Sequence, residues 1–469
     1  MGKTMDGVLQ RRELGHLQAW YASANRKPLI IRGARQVGKS TLVRQFASLS
    51  GLQLLVLNFE RNPEYREAFS VSDPVQILST LALLIGIELE PDKAILFLDE
   101  VQAAPEAIAA LRYFYEERPD IAVLAAGSLL EFTLAQSGFS MPVGRIEYMH
   151  MGPMAFSDFL LAMDEQALAN HLASISLQDI EKLAMPQLVH EKAMRLFRQY
   201  CVVGGMPEAI ARFVKSRSYS DVLKVQSSIL ATYRDDFSKY SHGARTHRVQ
   251  LVFDRAPAMV GNKFKYVHVS KDHRAAELRD ALAQLCMARV LHKVHHSSAN
   301  GIPLGAEQKE SQFKILFMDV GLLCLLLNIN ELNIKDDIPY LANKGAVAEQ
   351  FVGQHLLNAG EYFQEPVLFY WMREAKSAAA EIDYLLTVGQ EIVPVEIKAG
   401  ATGALRSLHQ FCQEKQRKYA LRFNSDEPSI IKGASATTAQ GKLAYDLLSL
   451  PLYMVGEAKR LAEGLLGDS

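Results

Sequence analysis

The chain has 469 residues, 49% of them hydrophobic, 22% charged and 9% aromatic, with a formal net charge of −1. That length exceeds one ordinary core, so roughly two to four domains are expected. The near-neutral balance excludes a molecule that holds nucleic acid through its overall field, and the four scattered cysteines (Cys201, Cys286, Cys324, Cys412) exclude a cysteine-ligated metal centre and fit a reducing compartment.

The first twenty residues lack the apolar core of a signal peptide, so a cytoplasmic location is the expectation. Apolar runs at 28–31, 53–59, 94–98 and 121–126 then alternate with segments of helical length. That rhythm predicts an α/β domain over 1–155, a parallel sheet with helices on both faces.

The stretch "PLIIRGARQVGKSTLVRQF" matches G-x-x-x-x-G-K-[ST] at Gly33, Gly38, Lys39 and Ser40, directly after a strand run and at the start of an amphipathic helix. Glycines let the backbone curl so that its N–H groups surround phosphate oxygens at a helix N-terminus. Lys39 is expected to reach the β- and γ-phosphates and Ser40 to ligate Mg²⁺. One βα unit further on, "KAILFLDEVQ" ends an apolar strand in Asp99 and Glu100. Asp99 is expected to hold Mg²⁺ through water, and Glu100 to orient and deprotonate the attacking water. Ser128 ends the next strand, where its hydroxyl contacts the γ-phosphate or the attacking water, or else caps the following helix. Arg145 in "VGRIEY" is either a charge-stabilising finger or a surface arginine.

The succession "GARQVGKST", "VLNFE", "LFLDEVQ", "AAGS", "GRIEY" and "GGMPEA" resembles prokaryotic AAA-type ATPases of the archaeal-ATPase-like kind, which join a P-loop domain to a C-terminal domain of unknown function. The resemblance implies ATP binding by Gly33, Ala34, Arg35, Gln36, Val37, Gly38, Lys39, Ser40 and Thr41, with Asp99 and Glu100 as the second nucleotide motif.

From about 155 to 240 the pattern is helical, broken by the turn-like "VVGGMPEA". Residues 241–300 hold ten Lys/Arg against four Asp/Glu and seven of the thirteen histidines. The helix over "DHRAAELRDALAQLCMARV", capped by Ser270, is followed by two strand-like runs, the order of a winged helix-turn-helix. This predicts a helical and winged-helix domain over 156–338, with Lys271, His273, Arg274 and Arg279 facing either DNA or solvent. The longest apolar stretch, 315–327, is too short to span a bilayer and contains Asp319, so no membrane partner is expected. "PYLANKGA" at 339–346 reads as a linker with Gly345 in a turn.

The third unit, 339–469, contains "EIDYLLTVGQEIVPVEIKAG". A II′ turn at Gly389-Gln390 sets the register: Val388 with Glu391, Leu386 with Val393, Asp383 with Glu396, Glu381 with Lys398. Two carboxylates then face each other, which destabilises a strand pair unless something neutralises them. Mg²⁺ is the expected neutraliser; the bland alternative is a polar sheet face with a Glu381–Lys398 ion pair. Asp, a gap, then Glu-x-Lys on a neighbouring strand resembles the PD-(D/E)XK nuclease superfamily. That resemblance implies Asp383 and Glu396 as metal ligands, Lys398 as catalytic, and Glu349 on the preceding helix as a further acid.

Together these readings predict an α/β multidomain protein that binds and hydrolyses ATP with Mg²⁺ and acts on DNA through the basic tract and a nuclease-like C-terminal domain. The alternative is a nucleotide-switched regulator whose nuclease-like domain is silent and only binds DNA or protein. Oligomeric state is left open.

Overall fold

The computed structural model describes residues 9–134, 141–182, 185–329, 344–373, 380–400, 405–435, 437–438, 441–442 and 444–467. Its contacts divide the chain into two compact units. The first is Met1–Met154 with two returning segments, Met287–Val290 and Gly360–Pro366. The second is Ala155–Cys286, Leu291–Ala359 and Val367–Ser469.

The first unit is built on five parallel strands: β1 (Leu29–Arg32), β2 (Gln53–Asn58), β3 (Ala94–Asp99), β4 (Ala122–Gly127) and β5 (Glu147–His150), in the order β2-β3-β4-β1-β5. β3 and β4 are buried along their whole length, as interior strands of a covered parallel sheet must be. Helices cross between the strands because their apolar positions fall on one face. In Pro105–Glu117, residues Ala107, Ile108, Leu111 and Phe114 are buried and join Leu96, Leu98 and Val123 in one core. Helix Pro74–Ile85 starts where the Asp73 carboxylate accepts the Val75 N–H at 2.8 Å, and ends at Gly86 with φ 74°. The parallel sheet matches the sequence expectation, with one addition. β5 reads "EYMH", too short and too polar to announce itself, which is what an edge strand permits.

The second unit joins a set of helices to a mixed eight-stranded sheet. Its strands are β6 (Leu291–Ser297), β7 (Gln308–Phe317), β8 (Leu368–Met372), β9 (Glu381–Val388), β10 (Glu391–Ile397), β11 (Tyr419–Asn424), β12 (Ser429–Ala434) and, after the separate pair β13 (Thr437–Thr438) and β14 (Gly441–Lys442), β15 (Tyr445–Pro451). Their order is β12-β15-β11-β10-β9-β8-β6-β7. The "VVGGMPEA" turn has a structural reason. The fully buried Asp319 carboxylate accepts the Gly205 N–H at 2.6 Å and the Leu322 N–H at 3.0 Å. Gly204, at φ 76°, lies so close that an added Cβ would fall 2.2 Å from Asp319 Oδ1.

Two expectations change here. β6 and β7 pair antiparallel, as a wing would, but β6 gives its other edge to β8 in parallel. They are therefore two strands of the C-terminal sheet, and contacts do not separate 156–338 from 339–469. A hairpin's own sequence carries no trace of what its outer edge will bind. Gly345 lies inside the helix Lys344–Leu357 rather than in a turn, and the rest of the expected linker, 339–343, lies outside the described residues.

Candidate functional site

The loop after β1 is shaped by close approaches. A Cβ on Gly33 would sit 2.2 Å from the Met151 carbonyl oxygen, just beyond β5, so only glycine fits. Gln36 and Gly38 take left-handed backbone at φ 62° and 95°, and Gly38 leads straight into the helix Lys39–Leu49. The buried Arg11 braces the loop from outside, donating to the Val37 carbonyl and, at 2.8 Å, to the Gly152 carbonyl. Arg11 carries no motif, and sequence reading missed it.

Lys39 turns back into the loop, its ammonium donating to the carbonyls of Gly33 (2.9 Å) and Ala34 (2.8 Å). Burial pulls its pKa down to about 8, against the opposing pull of Glu100 and Asp99; the charges of Arg35 and Arg289 push the same way as burial. Ser40 Oγ donates to Asp99 Oδ1 at 2.9 Å, and Asn58 Nδ2 donates to Asp99 Oδ2 at 3.2 Å. The strand end thus meets the helix start at a hydroxyl–carboxylate pair, with Asn58 of β2 as an unforeseen third member. Burial raises the Asp99 pKa, tempered by the bond from Ser40. Glu100 stands at φ 52°, with Gln102 Nε2 donating to its Oε2 at 2.8 Å and Ser128 Oγ approaching the same oxygen at 3.4 Å. Lys39, Ser40, Asp99, Glu100 and Ser128 are therefore gathered at one end of the sheet.

Arg145 is elsewhere. Its guanidinium pairs with Glu116 at 2.7 Å and borders a surface groove of about 580 Å³ lined also by Phe69, Tyr113 and Pro142. The arginine brought in from afar is Arg289, in left-handed backbone at φ 56°. It pairs with Glu131 (3.1 Å) and Glu365 (2.9 Å), and Arg32, the residue before Gly33, pairs with Glu131 at 3.3 Å. Burial, with Arg289 and Arg32, brings the neighbouring His150 down to about 4, so it is neutral.

The second unit holds the facing carboxylates. β9 and β10 keep the register read from the turn, from Val388 with Glu391 to Tyr384 with Val395. Gly389 is at φ 59°. One step past that ladder, Asp383 Oδ2 accepts the Ile397 N–H at 2.7 Å, and Lys398 pairs with Glu396 rather than with Glu381. The neutralising cation is an internal one. Lys314 of β7, 1% exposed, contacts Glu349 at 2.8 Å, Glu381 more closely still, and Asp383 Oδ1 at 3.8 Å. Burial opposes its charge, but Glu349, Asp383 and Glu381 outweigh burial and hold its pKa above the ordinary range. Burial lifts Glu349 and Glu396 to about 7 each, with Asp383 adding to the rise in both. Glu396 Oε2 is buried without a hydrogen-bond partner. Among the described residues no group of three or more His, Cys, Asp or Glu has the arrangement of a metal site. One oxygen of each of these four carboxylates is thus already committed to an ammonium group or a backbone N–H, so a divalent ion bridging this face would have to displace Lys314.

The basic tract is partly internal. Arg248 pairs with Glu277 at 3.2 Å, Lys293 lies over the Phe313 ring at 4.9 Å, and His296 is 1% exposed. Arg245, Arg255, Lys265, Lys271, Arg274 and Arg279 are exposed. Ser270 bonds His273 and the Asp272 N–H ahead of the helix Ala275–Met287, and so shapes the approach to that helix without capping it.

Residues 25–160 match the family described as AAA domain, residues 194–333 a domain of unknown function (DUF8612), and residues 344–442 another (DUF4143). No curated protein matches. Among solved structures, a Walker-type ATPase of Pyrococcus abyssi is 16% identical and covers 68% of this chain and 96% of its own, with a TM-score of 0.43. The ORC2 protein of Aeropyrum pernix is 13% identical over 71% of this chain and 98% of its own, at 0.39. The RuvB Holliday junction branch migration motor of Thermotoga maritima is 16% identical over 62% and 92%, at 0.31. With its phosphate-binding loop, parallel sheet and family match, the segment 25–160 is an AAA-type P-loop domain.

Proposed function

We propose that the chain binds ATP with Mg²⁺ at Gly33–Thr41 and hydrolyses it. The observation that carries this reading is the Ser40–Asp99 contact of 2.9 Å at the foot of a loop that already holds Lys39. Hydroxyl and carboxylate oxygens are the donors a hard cation prefers, so the residues present fit Mg²⁺, which when bound offsets charge on the phosphate oxygens. Lys39 leaves the carbonyls of Gly33 and Ala34 for the phosphates. Glu100, steadied by Gln102 and Ser128, orients a water and takes its proton. Arg145 joins this chemistry only by leaving Glu116. Lys39→Ala is expected to abolish nucleotide binding, while Glu100→Gln keeps binding and lowers turnover by about 100-fold or more. Wild-type turnover in Lys39→Ala would defeat the assignment.

DNA is the proposed partner, through the exposed cations of the basic tract, in a cytoplasmic setting that suits four free cysteines. Replacing Lys271, Arg274 and Arg279 by alanine is expected to weaken DNA binding and flatten its dependence on salt. Absence of DNA binding at every salt concentration, with or without ATP, would remove DNA from the proposal. For the C-terminal domain, Lys314 among the carboxylates favours the second reading, a nuclease-like platform that binds without cutting. Cleavage of DNA that requires Mg²⁺ and Asp383 would reverse that preference.

A further inference from the structure

Four acids, Glu349, Glu381, Asp383 and Glu396, meet two lysines, Lys314 and Lys398, between β7, β9, β10 and the helix Lys344–Leu357. Such a group of acids cannot be buried without compensation. A divalent ion would compensate by drawing oxygens from both strands onto itself at about 2.0–2.5 Å. Here one oxygen of each carboxylate already has a partner within the protein, and Glu396 Oε2 is left without one. Asp383 Oδ2 takes the Ile397 N–H, Glu396 Oε1 takes Lys398, and Glu349 and Glu381 take Lys314. Lys314 can fill this place because β7 is long enough to carry it under the helix while its ring neighbour Tyr370 packs 5.4 Å from the ammonium.

We propose that Lys314 is the resident cation of this face, a tethered ammonium that performs the neutralisation a bound Mg²⁺ would perform, so that the face folds without metal and takes none up. The inference stands apart from the nucleotide reading and survives its failure, because it concerns residues of the second unit alone.

The test uses the full chain in EDTA-treated form, without nucleotide, on an Asp99→Asn background that removes the other oxygen site. Mn²⁺ uptake is read by electron paramagnetic resonance and stability by thermal unfolding. With Lys314 present, no bound Mn²⁺ and no Mn²⁺-dependent rise in Tm are expected. Lys314→Met is expected to lower Tm by several degrees in EDTA and to regain it with Mn²⁺, a rescue that Asp383→Asn abolishes. Lys314→Met with Glu381→Gln removes one cation and one anion together. That pair is expected to recover at least half of the lost Tm without metal, and it decides the matter if the single variant does not fold. Stoichiometric Mn²⁺ uptake beside an intact Lys314, abolished by Asp383→Asn, would overturn the proposal. A double variant as unstable as the single one would overturn it too, since Lys314 would then act by packing and not by charge.

Discussion

Lys39 sits between two carbonyl oxygens, and burial brings its pKa down to about 8, so near that pH the free site holds a mixture of ammonium and amine. A triphosphate beside it restores the charged form. Nucleotide binding at pH 8 should therefore take up about half a proton, and almost none at pH 6 where the lysine is already charged. Calorimetry in two buffers of different ionisation enthalpy measures this, and equal heats at pH 8 would rule it out. Glu396 titrates in the opposite sense. Burial, then Asp383, lifts its folded pKa to about 7 against an ordinary 4.5, so the fold favours the protonated acid. Its contribution is intact below 4.5 and is lost as pH rises through 7. Glu396→Gln, which mimics the protonated form, should raise stability by about 1–2 kcal/mol at pH 8 and change little at pH 5. Thermal unfolding at the two pH values decides, with equal shifts counting against the assignment.

At the scale of elements, what could be read was what is local. The phosphate-binding loop is a contiguous strand, loop and helix, and the β9–β10 register follows from counting outward from Gly389. Lys314, Arg289 and Arg11 were not legible, because Lys314 reaches Glu381, Arg289 reaches Glu131 and Arg11 reaches the Val37 carbonyl across more than twenty residues with no periodicity to mark it. Lys314 in particular sits in the apolar run "FKILF", where one lysine reads as an outward-facing residue of a strand. β6 and β7 were legible as strands but not as members of the larger sheet, since pairing with β8 involves backbone groups common to every sequence. The Asp319 junction shows the same limit from the other side. "GGMPEA" signals a turn, but not the buried carboxylate that the turn encloses. Asp319→Ala leaves the N–H groups of Gly205 and Leu322 buried without acceptors and should cost about 2–4 kcal/mol. Urea unfolding measures that loss, and a cost below about 0.5 kcal/mol would mean that water replaces the carboxylate.

For the whole molecule, the chain passes between its two units five times, returning to the first as Met287–Val290 and Gly360–Pro366. These returns are short but well connected. The Tyr362 carbonyl accepts the His150 N–H at 2.7 Å, beside β1, and the Tyr362 ring stacks on His16 at 4.3 Å. Arg289 and Glu365 complete the charge cluster that includes Arg32, next to Gly33, and Glu131. The AAA-type segment 25–160 recognised by sequence is thus smaller than the unit that folds around it. A fragment of residues 1–160 lacks both returns, leaving Glu131 with Arg32 alone and the edge strand β5 without its partner at His150. It should unfold about 10 °C or more below the first unit in the full chain and bind nucleotide more weakly, because the residues flanking the phosphate-binding loop lose their bracing. Arg289→Ala in the full chain removes only the charge contacts and keeps the Tyr362 contacts, so its loss should fall between the two. If the fragment matches the full chain in both Tm and nucleotide affinity, the returning segments are passengers. A graded loss, fragment below Arg289→Ala below wild type, means that the chain completes its nucleotide unit only after most of the second unit has been laid down.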